Sequence, residues 1–163
     1  MADIVDQTTR SRMMSGIRGK DTKPELMLRK ALHARGFRYS LHSSKLPGKP
    51  DIVLPKYKAV VFVHGCFWHR HEGCRYTTSP STRTDFWNAK FEANVERDET
   101  VQRALQTSHW RVAVVWECAI RKPIMRALVV DTLCGWLRDG DGSDSISIGE
   151  NDMPTRLPLH CPG

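Results

Sequence analysis

LPGKPDIVLPKYKAVVFVHG, residues 46–65, reads as turn, strand, turn, strand. The apolar runs DIVL and KAVVFVH are rich in β-branched residues, and Pro55 and Tyr57 between them predict a hairpin connection. His64 closes the second run at the carboxyl end of its strand, where the active-site groups of α/β sheets gather. Asp51, directly after Pro50, opens the first run. Its Gly-Lys-Pro-Asp context is turn chemistry. Across a tight hairpin it also lies close to the strand end that carries His64, and a carboxylate beside an imidazole suits a divalent metal and a base.

The elements on either side complete an α/β pattern. TKPELMLRKALHARG opens a helix with Thr22 as N-cap, Pro24 in the first turn and Glu25 at the capping-box position, and it stops at Gly36. Capping alone accounts for Glu25, although a helix N-terminus also presents amides to anions. A Gly, Cys, His, Ser, Thr and Pro loop is expected over 65–82, then a long helix over roughly 83–107. WRVAVVWEC, 110–118, reads as a strand, and Pro123 begins a last helix. The order is helix, hairpin, loop, helix, strand, helix, which predicts a small α/β sheet flanked by helices. Residues 1–20 form a basic arm with a small apolar insert, 21–138 the folded domain, and 139–163 have the composition of a disordered tail.

With 163 residues and 40% hydrophobic content, one domain with a proper core is expected. No run approaches a membrane span and the first residues lack the apolar block of a secretory signal, so a cytoplasmic location is expected. Five cysteines in that setting suggest metal ligands or buried thiols before disulfides. The net charge of +7 is uneven, with 13 basic against 5 acidic residues in 1–58. A basic amino-terminal third favours a polyanionic partner, most simply nucleic acid.

HGCFWHRHEGC, residues 64–74, concentrates the chemistry. Cys66, His71, Cys74 and the distant Cys118 suit a tetrahedral zinc site, and on spacing alone His69 is an equal candidate for the imidazole ligand. Such a metal would pin an irregular loop to the sheet. On the long helix, Trp87, Phe91, Asn94, Asp98, Val101 and Leu105 share one face. Asp98 is out of place on that apolar face and needs a cationic or hydrogen-bonding partner. A loop histidine is the expected one, because a carboxylate holding the far nitrogen of an imidazole is how a general base is oriented.

Taken together, TKPE at Glu25, LPGKPDIV at Asp51, VHGCFWHRH from Val63, NVERD ending at Asp98 and WRVAVVWEC resemble the very-short-patch repair endonucleases from about Thr8 to Leu137. The resemblance implies a PD-(D/E)xK, restriction-endonuclease-like nuclease core with a zinc-stapled loop. It implies Mg²⁺-dependent nicking of double-stranded DNA on the 5′ side of the thymine mispaired with guanine after 5-methylcytosine deaminates. By that similarity Asp51 and the main-chain carbonyl of Val63 hold Mg²⁺, and His69 is the base. Asp98 orients it, Glu25 and His64 support the site, and zinc falls on Cys66, His71, Cys74 and Cys118. The fold group's second acid and lysine are replaced here by Phe62, Val63 and His64.

In that setting Phe67 and Trp68, joined by Trp87, are expected to wedge between base steps, with Asn94 on the DNA side of the long helix. Met13, Met14 and Ile17 of the basic arm are expected to enter from the minor-groove side. A monomer acting in the bacterial cytoplasm at the nucleoid, beside other mismatch-repair proteins, completes the expectation. Two other readings fit the same residues: a restriction-type nuclease on this scaffold, and a zinc-stabilised DNA-binding protein without catalysis.

Overall fold

The computed structural model describes residues 21–139 and 143–152. The basic arm with Met13, Met14 and Ile17, and the end of the tail from 153, lie outside them. Helix α1, Lys23–Ala34, starts at Thr22, whose Oγ1 accepts the Glu25 amide at 3.4 Å, and ends before Gly36, which takes φ +90°. Leu28 and Leu32 on its inner face are fully buried. Strand β1, Ser40–Leu41, leads to the hairpin of β2, Ile52–Leu54, and β3, Ala59–His64, joined through a 3₁₀ turn over Pro55–Tyr57. The segment read from sequence as a plain loop contains a four-residue helix, α2, Cys66–His69. Then follow α3, Thr84–Thr107, β4, Arg111–Trp116, the short α4, Glu117–Arg121, and α5, Pro123–Asp139.

The stretch expected as a disordered tail differs. Residues Ser145–Ile148 form strand β5, followed by a 3₁₀ turn at Glu150–Asp152. β5 runs parallel to β4, pairing Val115 with Ile148, and Ile148 is buried beneath it. Its alternating Ser-Ile-Ser-Ile pattern places the isoleucines on the core side and the serines outward.

The five strands lie in sequence order, β1-β2-β3 antiparallel and β3-β4-β5 parallel, giving a mixed sheet flanked by helices. Strand alternation divides the sheet into two faces. Ile52, Leu54, Ala59 and Val61 pack with Leu28 and Leu32 of α1 and with Val129 and Leu133 of α5. Val53, Val60, Phe62, Val112 and Val114 pack with Leu105 of α3. By the same alternation Asp51 and His64 belong to the α3 face, the face that presents Asp98. Gly48 permits the approach: it takes φ +72°, and a Cβ there would lie 2.4 Å from Val101 of α3.

Candidate active site

The parallel strands β3 and β4 end side by side, with His64 paired to Trp116, and both side-chain clusters of interest begin there. The first faces a cleft of about 640 Å³ whose walls include Asp51, His64, His69 and Asp98. His69 ends α2, held by its amide's bond to the Gly65 carbonyl at 3.1 Å. Its Nδ1 lies 2.6 Å from Asp98 Oδ2, a contact slightly shorter than the usual charge-assisted N–H···O bond, through which the carboxylate fixes the imidazole. The rings of His64 and His69 stack at 3.8 Å and 5°. Burial, followed by the neighbouring His69, pushes the His64 pKa down to about 3, so this ring stays neutral beneath His69. Asn94, one turn before Asp98, donates to the Trp68 carbonyl at 3.1 Å and ties α2 to α3.

Asp51 is largely buried, and the Val63 amide donates to its Oδ2 at 2.8 Å. Burial is the largest influence on its carboxyl, the Val63 bond opposes it, and nearby Glu25 adds to it, for a pKa of about 6. Among the described residues no lysine or arginine pairs with this carboxylate. A buried anion without a fixed counter-charge is unfavourable, and a bound divalent cation is the standard remedy, so Asp51 fits a magnesium ligand.

Glu25 is only 2% exposed, and its carboxylate does more than cap. Instead of returning to Thr22, Oε2 accepts the Asp21 amide at 3.0 Å, while Oε1 lies 3.5 Å from Arg29 and 2.8 Å from His42 Nε2. His42, in the cleft wall, escaped the sequence reading because a lone histidine in Leu-His-Ser-Ser carries no local signal. Lys49 and Arg97, also in the wall, supply positive charge that suits a phosphate.

The second cluster comprises Cys66, His71, Cys74 and Cys118, one ligand atom of each lying within 4.8 Å of the others. His71 Nδ1 is 3.7 Å from Cys66 Sγ and 3.4 Å from Cys118 Sγ. Two ligands of one tetrahedral zinc sit roughly 3.5–3.8 Å apart, so these four residues fit that metal. His69 and His71 are thereby separated, one on Asp98 and the other among the thiols. Burial raises the Cys66 and Cys118 pKa values, a penalty that a metal would reverse. Cys118 sits in the first turn of α4, since β4 stops at Trp116 rather than running to 118 as expected. The last described segment closes over the cluster: the Glu150 amide points at Cys118 Sγ at 3.3 Å, and a Cβ on Gly149 would lie 2.5 Å from the His71 ring.

The aromatic group is half core. Trp87 is buried at 7% exposure and packs on Phe91, while Phe67 meets Phe91 edge-on at 5.1 Å. Phe67 and Trp68 are partly exposed over it, and Phe86, passed over in the sequence, is the exposed ring at this end of α3 at 47%.

The family model for DNA mismatch endonuclease Vsr matches residues 2–75. The Escherichia coli K12 DNA mismatch endonuclease Vsr is 46% identical over 121 residues, 74% of this chain and 77% of that protein. The chain belongs to the Vsr family of DNA mismatch endonucleases. Its Vsr relatives include the type II nicking enzyme V.XorIIP of Xanthomonas oryzae pv. oryzae, 48% identical over 74% of this chain and 88% of that one. Another is the type II nicking enzyme V.NmeAIP of Neisseria meningitidis, 46% identical over 74% and 86%. This Vsr-family chain is a DNA-nicking endonuclease, and among its described residues no helix is long and apolar enough to cross a membrane.

Proposed function

We propose that this endonuclease nicks double-stranded DNA 5′ of the thymine in a T·G mismatch left by deamination of 5-methylcytosine, with Mg²⁺ held by Asp51 and the main-chain carbonyl of Val63. The core is read as a PD-(D/E)xK variant in which His64 stands near the position of the usual lysine. The observation that carries the reading is the His69–Asp98 pair, stacked on His64 and sharing one cleft with Asp51.

His69 Nδ1 is committed to Asp98, which leaves Nε2 as the atom to take a proton from the attacking water. Asp98 fixes the ring orientation and stabilises the imidazolium formed on that transfer. His64 confines the ring from one side. Magnesium on Asp51, when bound, would polarise the scissile phosphate and stabilise the leaving 3′ oxygen. Lys49 and Arg97 on the cleft wall attract the backbone, and Glu25 supports the site from α1.

Phe67 and Trp68 are the proposed wedge, with buried Trp87 as their backing and Asn94 holding their turn to α3. Unstacking costs a few kcal/mol per step and less at a mismatch, so insertion itself favours damaged pairs. Met14 and Ile17 are proposed to act from the opposite groove. Zinc on Cys66, His71, Cys74 and Cys118 is assigned a structural part. The working form is read as a monomer on nucleoid DNA in the bacterial cytoplasm, alongside other mismatch-repair proteins.

The test is cleavage of matched and T·G duplexes, each with Mg²⁺ or EDTA, by wild type and His69→Ala. Nicking restricted to the T·G duplex with Mg²⁺, and lost in His69→Ala, is expected. Equal cutting of matched duplex would indicate a restriction-type activity instead, and binding without Mg²⁺-dependent cutting would remove the catalytic reading.

A further inference from the structure

We propose that His42 is a positioning residue of the cleft, its ring spanning the gap between Glu25 and Asp51 and setting how tightly the Asp51 site holds a divalent cation. The inference rests on the cation reading of Asp51 given above.

His42 follows β1, and its amide bonds to the Asp51 carbonyl at 3.2 Å, so the sheet fixes the two residues side by side. Its backbone takes φ +47°, a left-handed conformation that disfavours a side chain yet turns this one into the cleft. There Nε2 lies 2.8 Å from Glu25 Oε1 and 3.5 Å from Asp21 Oδ1, and Nδ1 lies 3.9 Å from Asp51 Oδ1. The short contact to Glu25 does not follow the direction in which the ring nitrogen would donate, and among the described residues Nε2 is buried with no directed hydrogen-bond partner. Distance and direction therefore disagree, and direction decides: the contact is one of packing rather than a hydrogen bond. A buried polar atom left in that condition points to a functional demand on the ring rather than to its own stability.

Neutralising the carboxylates of Asp21 and Glu25 is not that demand. Arg29 Nη1 already reaches Asp21 at 2.8 Å and Glu25 at 3.5 Å, and the Asp21 amide takes Glu25 Oε2. What Arg29 does not reach is Asp51. The imidazole lies between the buried Glu25 and Asp51 and fills the space beside the Asp51 carboxylate, whose other oxygen accepts from the Val63 amide. Partners one step behind a metal ligand act in this way, holding the ligand in its binding orientation.

The experiment uses the full chain as wild type, His42→Gly, His42→Gln and Asp51→Asn. Glycine adopts positive φ freely, so His42→Gly removes the ring without a backbone penalty. Mn²⁺ binding is followed by electron paramagnetic resonance in the absence of DNA, and the Mg²⁺ concentration for half-maximal nicking is measured separately. Loss of the ring is expected to weaken Mn²⁺ binding about tenfold and to raise the Mg²⁺ requirement equally, as for other partners of metal ligands. At saturating Mg²⁺ the nicking rate should stay within about threefold of wild type, a split that a loosened fold would not give. His42→Gln, whose amide can bridge the same gap, should recover most of the affinity, and thermal melts establish that each variant is folded. Should His42→Gly not fold, His42→Asn, which also tolerates positive φ, takes its place. Wild-type Mn²⁺ affinity in the ring-deleted variant, or no recovery with glutamine, overturns the assignment. If instead Asp51→Asn binds Mn²⁺ as wild type does, the cation site itself is overturned and His42's part in it falls too.

Discussion

At the scale of the residue, the site is a set of titratable groups whose surroundings push them apart. The His69–Asp98 contact of 2.6 Å gives the carboxylate one dominant task, and Asp98→Asn isolates it. An amide keeps the shape but cannot stabilise the imidazolium, so single-turnover nicking should fall by ~10²–10⁴ with DNA affinity unchanged. A loss confined to affinity would assign Asp98 to binding instead. Asp51 and His64 make a second, opposite pair. Burial raises Asp51 to about 6, so the native state holds its proton over a range where the unfolded chain has released it. Stability from this group is therefore lost as pH rises from about 4 to 6, by about 3 kcal/mol in all. Burial lowers His64 to about 3, so the unfolded chain binds the extra proton and stability from this group is lost as pH falls below 6.5. The two effects oppose each other in wild type. In EDTA, Asp51→Asn should melt higher than wild type near pH 7.5, match it near pH 4, and show a steeper acid decline in between. Parallel curves of melting temperature against pH would refute the opposition.

At the scale of the element, much of this could be read from sequence because the signals were local. Thr22 and Gly36 bracket α1, the four- and three-residue spacing of apolar positions marks α3, and two β-branched runs around Pro55 mark the hairpin. Asp98 stood out as a charge on an apolar face, and that anomaly led to an imidazole partner. β5 was not legible. Four residues of Ser-Ile-Ser-Ile in a Gly-, Asp- and Ser-rich stretch carry too little apolar pattern, and the pairing partner lies some thirty residues away on β4. His42 was hidden for a related reason, since its meaning comes from Asp51 across a ladder and from Glu25 on a helix. The long-range contribution of β5 is testable. Ile148→Ala, at a site with 1% exposure, should lower stability by about 2–5 kcal/mol, read as a drop in denaturant midpoint. A change within error would mean that the strand adds little to the sheet in solution. Gly48→Ala should act differently, because its Cβ has no room beside Val101 and must lift the Asp51 loop from α3. Nicking should fall more than stability does, as judged by comparing rate with melting temperature.

At the scale of the whole molecule, the two clusters are mechanically one. α2 is four residues long, and a helix that short is not stable by itself in water. It carries His69 at its end, two residues before His71, so whatever anchors His71 and Cys66 also sets where His69 points. The anchors come from distant parts of the chain: Cys118 from the start of α4, the Glu150 amide from beyond β5, and the Trp116 ring, on which His71 stacks at 4.2 Å. On the other side Asn94 and Asp98 hold α2 to α3. A metal among the thiols would therefore tension a bridge whose far end is His69, the proposed base, and the Asp51 side of the cleft, beside β2 and β3, stands outside that bridge. Cys118→Ser should accordingly lower the content of bound zinc, measured by elemental analysis, and slow nicking by at least about tenfold, the range seen when a ligand's support is removed. Mn²⁺ binding at Asp51 should stay at the wild-type level in the same protein. If both metal sites fail together, the loop and the sheet edge unfold as a unit and the bridge is no separate device. If zinc is lost while nicking persists, His69 is held in place by Asp98 and Asn94 alone.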